Sequence, residues 1–444
     1  MTSFLRRSLL AVSLVSSLIA TPSFARTWFI AADGSGDAPT IQAGVDAASP
    51  GDLVLVGPGV YTDTHPMLVD GVTKDVNVHM TKNLVLASRD GASVTKLMGT
   101  TNGIAIFAEG LGASAEIRGF EIETPETPWF CAGPGLVAGG PFPRPTGIQA
   151  ASCACTIVEN LIHGGTYGMF LSQSPAVVTN NDLNSAMFGI YCVRSNAVVS
   201  ENRIMNCGGG ISASESSANI VNNSLGQVGS YPEMCSGINF GGTAQVNVRG
   251  NIIENAGGYG IECGGGPGVV EGNTVKGCNY AVDAHDATVT VENNVLVGNN
   301  TAIAFQACAG CSMVQNTIAN NNNGISLIYA DALVERNMIA MGLRGIGVLY
   351  SNPQFVCNNV FGMSVSYYGG YPPQTGLNGN INVDPQFCGM PGSGNYSLQS
   401  DSPCAPGNHP NGVDCGQIGA LGVGCGTVKT QPTSWGAIKA MYRN

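Results

Sequence analysis

The chain has 444 residues and a formal net charge of −11. A chain this acidic offers no patch for neutralising phosphates, which excludes electrostatic nucleic-acid binding. Only 11% of its residues are charged and 62 are glycine, where an average domain is about 25% charged; neutral polar groups in packed turns and extended strands take the place of charges, a surface compatible with sugar contacts.

Residues 1–25 read as a signal peptide. Arg6 and Arg7 form the positive end, Leu9 to Ala20 the apolar run, and Ser23-Phe24-Ala25 a small-x-small cleavage site. The mature chain then begins at Arg26, with 16 Lys and Arg against 29 Asp and Glu, a net −13. The apolar run is shorter than the roughly 20 residues of a membrane span, and no later stretch reads as a transmembrane segment. The expected location is therefore secreted, extracellular or cell surface. All 15 cysteines lie in the mature part. Export permits disulfides, and the odd count leaves at least one thiol free or paired between chains. Cys308-Ala-Gly-Cys311 stands alone, without the partners of a zinc site.

Over 26–60, Ile41, Val45 and Ala48 recur at helical spacing. From 61 to 380 the pattern is a repeat. An Asn followed two residues later by an apolar residue recurs at Asn160, Asn181, Asn202, Asn223, Asn251, Asn273, Asn294, Asn316, Asn337 and Asn359, the last with Phe361. All steps but one are 21 or 22 residues. A second beat, Gly then apolar, falls at Gly168-Met169, Gly189-Ile190, Gly210-Ile211, Gly237-Ile238, Gly260-Ile261, Gly324-Ile325 and Gly345-Ile346. Within a repeat the apolar residues alternate with period two, as in strands, and no helical stretch separates them. Closing each repeat into one coil stacks like residues about 4.8 Å apart, so the Asn column becomes a hydrogen-bonded ladder and the aliphatic columns a continuous core. The fold class is all-β: a right-handed parallel β-helix, a solenoid of about 21–22-residue coils, with a short N-terminal capping α-helix. Two loops interrupt it, near 123–146 and 226–236.

The residues Ile30-Ala-Ala-Asp33-Gly-Ser-Gly36, Pro39-Thr-Ile41-Gln42, Pro50-Gly-Asp52 and Pro58-Gly-Val60-Tyr61 resemble the opening of the pectin-lyase-like superfamily of secreted β-helix repeat proteins. The resemblance implies that 26–60 is a cap whose helix covers the open end of the core. Asp384-Pro385-Gln386-Phe387, Tyr396-Ser-Leu398, Ser402-Pro403 and Asp414-Cys-Gly416-Gln-Ile-Gly419 are similar to the closing segment of such proteins, here 381–425. It implies loop-closing disulfides there, Cys388 with Cys404 and Cys415 with Cys425. Residues 426–444, with Trp435 and Tyr442, look like a linker and sorting tail.

The catalytic sets of the superfamily's esterases, polygalacturonases and calcium-dependent lyases do not carry over onto this sequence. The register still defines a site. Aligned on the second beat, one outward column holds Phe170, Tyr191, Ser212, Asn239, Glu262, Asp283, Ala304 and Ser326, with His285 beside Asp283. Glu262 and Asp283 then lie on neighbouring coils, where one carboxyl should take a raised pKa. Such a pair suits acid/base work, or calcium as a cofactor; the spacing matches retaining glycosidases. Catalytic candidates are Glu262, Asp283 and His285; Tyr191, Phe170 and Asn239 are candidates for binding a sugar. Glu271 and Glu292 with Arg249 read as a surface charge ladder, and His65, His79 and His163 as isolated. The expected function is contact with an extracellular polysaccharide, with or without turnover as a lyase or glycoside hydrolase; the alternative is a non-enzymatic surface protein or adhesin.

Overall fold

The computed structural model describes residues 25–126, 144–229, 235–389 and 394–426. The leader before residue 25, the tips of the two insertions and the tail beyond 426 lie outside these residues. Each repeat closes into one coil of three short strands, as in Phe188–Val193, Val198–Ser200 and Arg203–Met205. Every strand of that coil pairs in parallel with its counterpart one coil on. Thirteen strands stack this way on the third face. The first and second faces merge where Tyr259–Glu271 and Tyr280–Glu292 run straight through their shared corner. No helix among the described residues is long and apolar enough to cross a membrane.

Period-two alternation decides which side chains go inward. Met169, Ile190, Ile211, Ile238, Ile261, Val282, Ile303, Ile325 and Ile346 follow one another up the core and are all buried. Each is worth about 1.5–3 kcal/mol relative to exposure.

The asparagine ladder explains how the chain turns the second corner. The residue before each ladder position is left-handed: Glu159, Asn180, Glu201, Asn222, Asn293, Gln315, Arg336 and Cys357 have φ between 52° and 57°, and glycine serves only at Gly250 and Gly272. Such a conformation costs a non-glycine residue about 1–2 kcal/mol. The following Asn offsets this by accepting, on its Oδ1, both the backbone N–H and the Nδ2 of the Asn one coil below. For Asn273 and Asn294 these bonds are 2.8 and 3.0 Å. The ladder runs unbroken from Asn160 to Asn337.

Beyond Asn337 the register corrects the expectation. The next rung of the ladder is Asn358, not Asn359, followed by Asn380. The inward apolar partner is Val360, fully buried, while Phe361 turns partly outward. Two adjacent asparagines satisfy the repeat equally well, and only the 21-residue step from Asn337 keeps the left-handed residue, here Cys357, in phase. A second, shorter ladder at the third-to-first corner links Cys278, Asn299 and Asn321.

The only helix among the described residues, Ile41–Ala47, is capped by Thr40, whose side chain accepts from the Ala43 N–H at 3.1 Å. Ile41, Val45 and Ala48 join Ile30 and Val54 in the core.

The closing segment corrects both expected disulfides. Cys415 is joined to Cys357 (Cα–Cα 5.6 Å) and Cys388 to Cys425 (6.0 Å), while Cys404 is a buried thiol. The reason is the path of the chain. The segment folds back over the last coils, with Gly419 N–H on the Arg336 carbonyl and Ala420 N–H on Thr317 Oγ1, which lays Cys415 against the coil carrying Cys357. Val423–Cys425 then pairs with Leu398–Gln399, beside Cys388. Cys235 is also disulfide-bonded. In the same segment His409 Nε2 lies 2.9 Å from the Gly379 carbonyl.

Candidate functional site

The outward column falls in register as read from the sequence. Phe170, Tyr191, Ser212, Asn239, Glu262, Asp283, Ala304 and Ser326 are Cα partners on successive coils of the first face. Glu262 and Asp283 are therefore direct neighbours, one coil or about 4.8 Å apart. His285 stands opposite Gly264 on one side and Gln306 on the other.

Glu262 is fixed by two donors. Ser236 Oγ and Asn239 Nδ2 reach its Oε2 at 2.5 and 2.7 Å. Its Oε1 is left facing His285, whose Nε2 lies 3.9 Å away; the Nδ1 of the same ring lies 4.0 Å from Asp286. Gly264 makes this approach possible. A Cβ there would stand 3.2 Å from His285 Cε1 and 3.3 Å from Nε2, so the bare glycine lets the imidazole lie back over the coil carrying Glu262. Gly264→Ala is expected to turn the ring away. In NMR spectra the His285 ring shifts should respond to Glu262→Gln in the parent and respond less in the Gly264→Ala background.

Asp283 is half-buried, and burial pushes its carboxyl up to about 6; His285 opposes the shift and Glu262 adds to it. Tyr259 and Tyr280 stack beside the acids at 5.4 Å between centroids. Burial, then Asp283 and Glu262, push the Tyr259 hydroxyl upward.

Phe170 and Tyr191 are brought together, stacked at 6.0 Å. Tyr167 and Phe188 complete a shelf of four rings, with Tyr167 5.1 Å from Phe170 and Phe188 5.6 Å from Tyr191. This shelf is not next to the acids: Tyr191 and Glu262 are three coils apart, about 14 Å. Of the two coils between them, the nearer to the shelf presents only small residues outward, Gly209, Ser212 and Ser214, and a Cβ on Gly209 would press on the Phe188 ring at 3.0 Å. Towards the N-terminus the face is covered by the antiparallel hairpin His65–Val69 and Val72–Met80. Its Met67 and Val69 pack with Val76, Ile104 and Phe107. Both insertions leave the solenoid at the third-to-first corner, one before Thr146–Ala151 and the other before Ser236–Gly241.

Sequence reasoning missed Ser236, Tyr259, Tyr280, Tyr167 and Phe188. Stepping back three residues from the column, past the inward beat, would have found each of them. The Arg249, Glu271 and Glu292 ladder lies on the second face, with Arg249 and Glu271 paired at 2.9 Å. His79 is not isolated: it stacks on Phe107 at 5.1 Å and meets Glu109 at 3.2 Å. His163 lines, with Glu123, Thr124 and Ser185, a depression of about 480 Å³ on the third face. Among the described residues no three His, Cys, Asp or Glu side chains are grouped to hold a metal ion.

This architecture, three parallel faces wound around one core, defines a parallel β-helix protein. The family model described as the right-handed beta helix region matches residues 146–296 and 236–380. The chain belongs to that family. No curated protein matches it in sequence. Among solved structures it is similar to the catalytic unit of a thermostable α-1,3-glucanase from Streptomyces thermodiastaticus, with 15% identity, 82% of this chain and 68% of that one covered, and a TM-score of 0.54. It is also similar to the A-module of a mannuronan C-5 epimerase from Azotobacter vinelandii (16%, 78% and 95%, TM-score 0.49) and to a pectate lyase (12%, 90% and 97%, TM-score 0.44).

Proposed function

We propose that this protein binds a polysaccharide along its first face and hydrolyses it between Glu262 and Asp283. The observation that carries the reading is the unequal environment of two neighbouring carboxyls. Burial favours the protonated form of Asp283, while Glu262 is held as an acceptor by Ser236 and Asn239. Environments that separate two acids assign them different tasks. Asp283 donates a proton to the leaving oxygen; Glu262, on the neighbouring coil whose backbone is about 4.8 Å away, attacks or shields the anomeric carbon, the paired-carboxyl arrangement used by retaining enzymes, whose carboxyls are roughly 5 Å apart. His285 supports the Glu262 side. The aromatic shelf supplies ring faces for sugars a few units along the chain. The α-1,3-glucanase shows that this fold is one on which a glucan-cleaving enzyme is built.

In the same reading residues 1–25 direct export, 26–60 cap the solenoid, 381–425 close it, and the chain works outside the cell. The test is a panel of soluble xylan, dextran, laminarin, pectate and alginate, assayed for retention on affinity gels and for new reducing ends. The parent is expected to be retained by at least one neutral polymer and to release ends from it, and Glu262→Gln to be retained without releasing any. Retention without products from the parent would leave a binding protein of the adhesin type and remove the hydrolase; neither retention nor products would overturn the proposal.

A further inference from the structure

Nine thiols among the described residues are free and buried, and four of them share a pattern. Two addresses recur at the corner between the first and second faces. The first is held by Cys153, Ser174, Ser195 and Ser216, each bonded to the next: Cys153 N–H to Ser174 Oγ at 3.0 Å, Ser174 N–H to Ser195 Oγ at 3.0 Å and Ser195 N–H to Ser216 Oγ at 2.9 Å. Cys308 occupies the same address further on. Its Sγ donates to the Ala284 carbonyl at 3.3 Å, as Ser174 Oγ donates to the Ala150 carbonyl at 3.0 Å, each 24 residues back. The second address is the next inward position, one residue before the second-face register: Cys155, Ala176, Ala197, Ala218 and Cys311.

The coils therefore supply their own comparison. Of these five, two carry cysteine at both addresses and three carry it at neither. Independent burial of a small apolar residue, the ordinary reason for a core cysteine, would not couple the two addresses. Contact would. In each pair the two cysteines sit two or three residues apart at one corner of one coil with both side chains buried, and Gly310, at φ +74°, interrupts the extended run between Cys308 and Cys311. The chain already forms disulfides at Cys357–Cys415 and Cys388–Cys425, so an oxidant is met during folding.

We propose that Cys153–Cys155 and Cys308–Cys311 are two further intrachain disulfides, closed while the chain folds. The oxidant is a small or protein-borne disulfide. One cysteine thiolate attacks it and releases a thiol; the second attacks the resulting mixed disulfide and releases another. Two thiols of the chain lose two protons and two electrons, and one external disulfide is reduced to two thiols. The four side chains are at most 2% exposed once folded, so the exchange precedes closure of these coils. A loop this short constrains the unfolded chain little; the gain is the removal of four reactive thiols from a chain that must form other pairs correctly.

The test is to refold the reduced full-length chain in mixed oxidised and reduced glutathione, unfold it in N-ethylmaleimide, digest it and weigh the peptides. The peptides with Cys153/Cys155 and Cys308/Cys311 are expected unlabelled, each two hydrogens lighter than its reduced form. Cys192, Cys207, Cys263, Cys278 and Cys404 should each take one label. In Cys311→Ser, Cys308 should become labelled. Label on all four cysteines of the refolded parent, or a bond from any of them to Cys263, would overturn the proposal.

Discussion

Asn294→Ala should lower the stability of the chain by at least about 3 kcal/mol, more than any exposed substitution on the solenoid. The side chain is fully buried and serves both neighbouring coils. Its Oδ1 accepts the backbone N–H and the Nδ2 of Asn273 at 2.8 and 3.0 Å; its Nδ2 donates to the carbonyls of Val270 and Glu292 at 2.9 Å each, and to Asn316 Oδ1 at 3.0 Å. Truncation leaves the Asn273 N–H and two carbonyls with fewer partners and no water to replace them, at about 1–3 kcal/mol for each group left unsatisfied. It also withdraws support from the left-handed turn at Asn293. Asn294→Leu should fare no better, since it fills the volume without restoring a bond. Asn300, exposed and with its side chain bonded to Asn279 and Asn322 on the surface, is the control: its replacement by Ala should stay within about 0.5 kcal/mol. Urea denaturation followed by circular dichroism measures both. A shift of the Asn294→Ala midpoint no larger than that of the control would refute the ladder's role.

Asp283→Asn and Glu262→Gln should each reduce cleavage of the polymer identified by the panel by about 10²–10⁴-fold, the usual worth of a positioned acid or base. KM should change little, because the aromatic shelf is about three coils away. In Phe170→Ala and Tyr191→Ala the effect should be reversed, on KM rather than kcat. The pH profile follows from Asp283. With its pKa raised to about 6, the proton donor is lost as pH rises through that value, and the rate should fall above it. The same shift carries a stability signature. A carboxyl whose folded pKa lies above its unfolded value binds its proton more tightly in the folded chain, so stability falls as pH rises from about 4 to about 6. Asp283→Asn removes that slope. The variant should be inactive yet at least as stable as the parent above pH 6, a combination that a merely structural aspartate would not produce. Thermal melts at pH 4, 6 and 8 beside the rate assay decide it.

Much of this molecule is legible in its sequence because a β-helix repeats one local rule. Alternation sends Ile190, Ile211 and Ile238 inward and Tyr191, Ser212 and Asn239 outward, and a constant coil length stacks them. Glu262 and Asp283 could thus be named as neighbours from spacing alone. Where the spacing was ambiguous the reading failed: Asn358 and Asn359 fit the repeat alike, and the ladder runs through Asn358. Where the repeat stops, spacing carries no information, and the closing cysteines pair otherwise than the resemblance to other closing segments implied.

By itself the sequence determined the coil, the inward and outward columns and the juxtaposition of the two acids, because these follow from a period along the chain. Only the tertiary structure decided that Ser236 and Asn239 hold Glu262, that His285 lies back over Gly264, that the aromatic shelf stands three coils from the acids, and that the closing segment folds back onto the last coils. Those contacts depend on rotamers, on corner geometry and on the direction of the chain after the last repeat, which no periodicity encodes.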